Sequence, residues 1–204
     1  ERDGLGDADF EPVGVRWQIP LTADGRLAGS PIHLSENPEE KKPRPKRLIR
    51  PKSNPDFVSH GRSYFLCDSL ERCALFLDDE HKLSSRRINQ GYFVGLLREA
   101  SASYPALGVV ADFLSDETKL ADLHGQLRAA KAKPSDNAIF AVDGVSMLDV
   151  PELQDWWRKK NQELRDTQVN SEATCLATGK VGAICRTTGF IKLLGEDTKL
   201  VSFN

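Results

Sequence analysis

Between Asn37 and Pro55 the chain reads NPEEKKPRPKRLIRPKSNP, and its five prolines forbid a continuous helix there. Each proline lacks an N–H and biases the residue before it toward extended backbone. Lys41, Lys42, Arg44, Lys46, Arg47, Arg50 and Lys52 place positive charge along the stretch with no acid among them. The segment therefore reads as an extended, exposed loop.

The residues before this loop alternate in the manner of strands. Val13–Leu21 (VGVRWQIPL) mixes β-branched, aromatic and polar residues in near alternation and reads as one strand. Asp24-Gly25 supplies a hairpin turn. Leu27–Leu34 returns as a second strand, part of which Pro31 places at an edge. After the loop the spacing becomes helical. Phe65, Leu66, Leu70, Cys73, Ala74 and Leu77 predict a helix over Phe65–Leu77, and Asn89–Pro105 predicts another. The helical run continues through ALGVVADFLSD and ETKLADLHGQLRAAKA. Asn137–Gly144 is a strand ending in an Asp-Gly turn. A helix follows with Asp149 as N-cap and Pro151 in its first turn. From Thr174 on, short strands alternate with glycine turns. The fold class is α+β: an N-terminal β-hairpin and a C-terminal short-strand region around a helical middle.

With 204 residues the chain can bury a real core. Its net charge of −2 excludes a uniformly basic nucleic-acid binder but leaves room for a local basic patch. No apolar run reaches the roughly 20 residues that cross a bilayer. Cys67, Cys73, Cys175 and Cys185 match no common zinc spacing and read as free, mostly buried thiols. The four histidines lie in different predicted elements, and no G-x-S-x-G or P-loop is present. The acids sit at turns, caps and solvated faces, so no catalytic set, metal site or cofactor site is expected.

Two features point to nucleic acid. The lysines and arginines of the proline-rich segment, Lys46, Arg47 and Arg50 among them, suit phosphate contacts driven by counterion release, although a solvated linker has the same composition. In the last stretch, Gly179, Gly182, Gly189 and Gly195 permit close backbone approach, and Lys180, Arg186, Lys192 and Lys199 space charge between them. Ser202 and Asn204 offer short groups suited to base edges. An ordinary β-meander would also account for this segment.

The same residues resemble a known family, the Csd-type large subunit of the type I-C CRISPR Cascade. The chain's CLATG (Cys175–Gly179), CRTTGFIK (Cys185–Lys192) and TKLVSFN (Thr198–Asn204) are similar to that family's CLVTG strand, basic segment and ASLVSFN. WQIPLTADGRL, KKPRPKRLIRP, YFLCDSLERCALFLD and VPELQDWWRKK match further motifs in the same order, so the resemblance covers nearly the whole chain. Asp68-Ser69 stands where the family has Asp-Asn, and Thr188-Gly189 replaces a His-Pro.

The resemblance implies that residues 1–204 form the N-terminal domain of a longer large subunit, with a helical C-terminal region beyond it. It implies a non-enzymatic, cytoplasmic role in prokaryotic antiviral defence. The domain would recognise the PAM, the short motif flanking the target, in double-stranded target DNA and would help open the duplex. Lys46, Arg47, Arg50, Lys180, Arg186, Lys192, Ser202 and Asn204 are the candidate DNA-binding residues. The implied partners are the other Cascade subunits, including the one that holds the guide RNA 5′ handle, the guide RNA through the complex, and a separate helicase-nuclease. A scaffold that seats the 5′-handle subunit without reading the PAM is the alternative.

Overall fold

The computed structural model describes residues 7, 9–37, 39–40, 43–53, 63–166, 172–174, 181–183, 190–193 and 196–199. The chain divides into two compact units, Glu1–Arg158 and Lys159–Asn204.

The first unit is built on β6 (Asn137–Val142), whose residues from Ala138 to Val142 are all buried. A run of Ala-Ile-Phe-Ala-Val with no polar alternation is what a strand covered on both faces requires. β6 pairs in parallel with β2 (Trp17–Leu21) and antiparallel with β5 (Cys67–Ser69). β3 (Ile32–His33) pairs with β2, which gives the order β3-β2-β6-β5. β7 (Val145–Ser146) folds back on β6 through Asp143 and Gly144, both at positive φ, as the sequence predicts for an Asp-Gly turn. In β2 the expected alternation holds, with Trp17, Ile19 and Leu21 buried and Gln18 and Pro20 half-buried.

The stretch Val13–Leu21 is not one strand. It breaks at Arg16 into β1 (Phe10–Val15) and β2, because the two halves serve different sheets. The Arg16 N–H donates to the Asn137 carbonyl at 3.0 Å, and the Arg16 carbonyl accepts from Leu34 N–H at 2.7 Å. β1 instead pairs antiparallel with β4 (Lys46–Pro51), from Phe10↔Pro51 to Val15↔Lys46. The proline-rich segment is thus a strand over these residues and not a loop. Pro51 closes the β4 end of the ladder and Pro12 lies in β1, so the ribbon tolerates its missing donors as an edge does.

The predicted helix over Phe65–Leu77 is another correction. The segment forms β5 and then a single turn, α1 (Leu70–Cys73). Leu66 and Leu75 adopt φ values of 63° and 53°, which end any helix on either side. The buried Asp68 carboxylate accepts from the Tyr64 and Ser69 N–H groups at 2.8 and 2.7 Å, and Leu70 and Glu71 N–H bond to the carbonyls of Asp136 and Pro134. Tertiary hydrogen bonds therefore replace the helical ladder, while the apolar residues are still buried, apart from the half-buried Leu75 and Leu77.

α2 (Leu83–Ala100), α3 (Ala106–Ser115) and α4 (Glu117–Ala129) supply the helical middle. α2 starts well before Asn89 and buries Asn89, Phe93, Leu96, Leu97 and Ala100, a single face at helical spacing. Phe93 meets Phe140 of β6 with ring centroids 6.4 Å apart. Asp116 caps α4 by accepting from the N–H groups of Thr118 and Lys119.

α5 (Pro151–Asp166) has proline at its first position, which loses no helical hydrogen bond. Asp149 is not its N-cap. It ends a 3-10 turn over Met147–Asp149, and the extended Val150 provides the first helical carbonyl, accepting from Leu153 and Gln154 N–H. Trp157 stacks on Phe65 with an interplanar angle of 19°. In the second unit, β8 (Glu172–Thr174) pairs with β9 (Val181–Ala183), and β10 (Phe190–Leu193) pairs with β11 (Glu196–Lys199), as the short-strand reading predicts.

Cys67 and Cys73 are both buried and free. Burial pushes the Cys67 thiol up to about 12 and raises that of Cys73 as well. At pH 8 neither is a thiolate, which is the reactive form. Iodoacetamide should therefore leave both unmodified in the native protein and label both once urea unfolds it, as peptide mass spectrometry would show. Labelling of either at the rate of a free thiol would contradict this burial.

Candidate nucleic-acid interface

The β1–β4 ribbon turns alternate side chains to opposite faces. Glu11, Val13 and Val15 lie opposite Arg50, Leu48 and Lys46, and this face turns inward, with Val15 buried and Val13 and Leu48 packed on the core. Pro12 and Gly14 lie opposite Ile49 and Arg47 on the outward face. A Cβ at Gly14 would meet the Pro45 ring at 3.1 Å, so a side chain there would require the ring to give by a few tenths of an ångström.

This alternation separates the three cations of β4 that were predicted to contact DNA. Arg47 is exposed on the outward face, and Lys46 is exposed at the end of the strand where the inward face meets solvent. Arg44 and Lys52 are exposed on either side of them. Neither Lys46 nor Arg47 forms an ion pair with a described residue. Among the described residues, no acid claims their charge.

Arg50 is claimed by an acid. Its Nε and Nη2 donate to Glu11 Oε1 at 3.0 and 2.8 Å, and its Nη1 donates to the Cys67 carbonyl at 3.4 Å. The guanidinium lies 3.3 Å from the centroid of the Tyr64 ring, which is cation–π stacking. Its side chain is only 11% exposed and that of Glu11 is 28% exposed. A phosphate that met this group would compete with Glu11, so the fold gives Arg50 a different setting from Lys46 and Arg47. Arg50 joins β1, β4 and β5.

The opposite end of the ribbon is fixed as well. Asn137 Nδ2 donates to the Gly14 carbonyl at 3.0 Å, and Ser35 bridges to Pro45. Arg16 donates to the Pro43 carbonyl and to His33 Nε2, each at 3.3 Å, and its Nε lies 3.5 Å from Asp136. Asp136 also accepts from Trp17 Nε1 at 3.0 Å. Arg16 is thus committed to the fold, and Lys46 and Arg47 stand on a ribbon held at both ends.

Beside β5, burial raises the Asp68 carboxyl, and the two backbone N–H donors oppose that shift. Burial lowers the His124 imidazole, whose Nε2 donates to the Ala74 carbonyl at 2.7 Å. Both groups are structural. Among the described residues no three of His, Cys, Asp and Glu converge as metal ligands. No described helix is long and apolar enough to cross a membrane.

Of the C-terminal candidates, Lys192 lies in β10 opposite Asp197 of β11. Lys180, Arg186, Ser202 and Asn204 lie outside the described residues. Glu11 and Tyr64 were missed in the sequence. Glu11 carried a signal: it alternates with Val13 and Val15, so an acid falls on the buried face and needs a cation. Tyr64 carried none, because it lies outside any strand and no local pattern brings it to Arg50 of β4.

A family model described as CRISPR-associated protein (Cas_Csd1) matches residues 2–204. No curated protein matches the chain.

Replacing Arg50 by Ala should destabilise the first unit by about 2–4 kcal/mol, because it leaves a partly buried carboxylate without its partner. Lys46→Ala and Arg47→Ala should each change stability by less than about 0.5 kcal/mol, as exposed substitutions do. Urea unfolding followed by tryptophan fluorescence separates these cases, and equal effects at all three positions would contradict the division of roles.

Proposed function

The chain belongs to the CRISPR-associated Cas_Csd1 family, and from that premise we propose that it is the DNA-binding, PAM-recognising part of a type I-C Cascade large subunit. The observation that carries the proposal is the β1–β4 ribbon, which presents Lys46 and Arg47 to solvent without ion-pair partners among the described residues. Lysine and arginine so placed bind phosphates and release counterions, which holds a duplex without reading its sequence. A two-stranded ribbon also has the width that a major groove admits.

In this reading the guide RNA recognises the target by pairing, and the protein recognises only the short flanking motif and helps part the strands. The ribbon gives affinity. The C-terminal segment, with Lys180, Arg186, Lys192, Ser202 and Asn204, reads the motif. The chain's role is binding, and a separate helicase-nuclease does the cutting. The subunit holding the guide RNA 5′ handle is its neighbour in the complex.

One observation favours a second reading. Ile49 is 59% exposed on the same face as Arg47. An apolar side chain beside a cation also suits a protein partner, so the ribbon could seat the 5′-handle subunit while DNA is read elsewhere.

The double variant Lys46→Ala, Arg47→Ala separates the two readings. Contact with DNA predicts weaker binding to PAM and non-PAM duplexes alike. It also predicts a salt dependence, log K against log salt, shallower by about 0.9 for each phosphate contact removed. Unchanged affinity and slope would favour the protein contact.

Asn204→Ala in the assembled complex should behave differently. It should lower affinity for PAM-bearing targets by about 1–3 kcal/mol, the size of one good base contact, and leave other DNA unaffected. Loss on both DNAs would assign Asn204 to folding or to phosphate, and loss on neither would place motif reading on other residues.

A further inference from the structure

We infer that Arg50 is a positioning residue of the basic ribbon, acting with Glu11 and Tyr64 to hold Lys46 and Arg47 in place for nucleic acid. The inference rests on the nucleic-acid reading of the ribbon given above. It reverses the simplest view of the charges, in which Arg50 is one more phosphate contact and Glu11 is an obstacle.

A two-stranded ribbon is marginal by itself in water. This one is fastened at the Lys46 end by Asn137, Ser35 and Arg16. At the other end Arg50 fastens it from the inward face, while Arg158 lies 5.0 Å from the centroid of the Phe10 ring and pairs with Asp7 at 2.9 Å. The Arg50 guanidinium is held on several sides: two N–H groups to Glu11 in the register position opposite, one to the Cys67 carbonyl of β5, and one flat face to Tyr64. Lysine could supply the charge but neither the fork nor the plane. Fixing the ribbon before binding removes part of the ordering cost that phosphate contacts would otherwise have to offset.

Glu11 gives the test its sign. It lies on the strand paired with the cationic one. If it acted only through charge, neutralising it would strengthen binding to DNA. If it acts through Arg50, neutralising it loosens the ribbon and weakens binding.

The full chain is titrated with a short mixed-sequence DNA duplex over a range of salt, well below the melting temperature of every variant. Glu11→Gln, Arg50→Lys and Tyr64→Leu should each bind about fivefold or more weakly, with a salt slope equal to wild type because no phosphate contact is lost. Tyr64→Leu changes no charge and keeps the test intact if an ion-pair variant fails to fold. Tighter binding by Glu11→Gln, or wild-type binding by Arg50→Lys and Tyr64→Leu, would overturn the inference. So would a slope shallower by about 0.9 in Arg50→Gln, which would mark a direct phosphate contact. If Lys46→Ala, Arg47→Ala leaves binding and slope untouched, the nucleic-acid reading fails and this inference falls with it. If that double variant weakens binding while the Glu11 and Arg50 variants behave as bare charges, only the positioning role fails.

Discussion

Strand β6 must be covered on both faces, and the first unit is arranged around that demand. Its neighbour β2 runs parallel to it, and parallel strands cannot be joined by a tight turn. The chain from Thr22 to Asp136 is therefore one long crossover, and it contains the helices whose apolar faces meet the sheet. It also contains β4. The basic strand is thus an excursion from the crossover, supported by the β1 extension of β2 and by β5 at the far edge of the sheet. The fold leaves Lys46 and Arg47 on a peripheral ribbon because the central strands are taken by the core.

What distinguishes the ribbon is how its charges are allotted. Strand alternation sends Arg47 outward and Arg50 inward, only three residues apart. The inward arginine meets an acid, a ring and a carbonyl, while the outward one and Lys46 meet solvent. A buried charge left alone would be costly, so Arg50 and Glu11 have to occur together. The exposed cations carry no such requirement in the fold, and this freedom makes them candidates for an external anion.

Much of this was legible in the sequence. The α+β class, the Asp143-Gly144 turn, strand β6, the helices of the middle and the late hairpins all follow from periodicity and turn residues. The family followed from motifs in order along the chain. The failures share one cause, which is that tertiary pairing overrides a local pattern. Phe65–Leu77 has helical spacing because nearly all its apolar residues are buried, yet Asp68 takes the backbone donors that a helix would use. The proline-rich stretch looks like a loop because its partner strand lies more than thirty residues earlier. Composition could count the basic residues, but it could not tell which side of a strand each would face.

The central claim is that the β1–β4 ribbon lies against nucleic acid. A structure of the protein in its CRISPR complex on target DNA tests that most directly. The account predicts Lys46 Nζ and the Arg47 guanidinium within hydrogen-bond distance of phosphate oxygens, with Arg50 still paired to Glu11 and stacked on Tyr64. A ribbon covered by another protein subunit, with the DNA elsewhere, would contradict it.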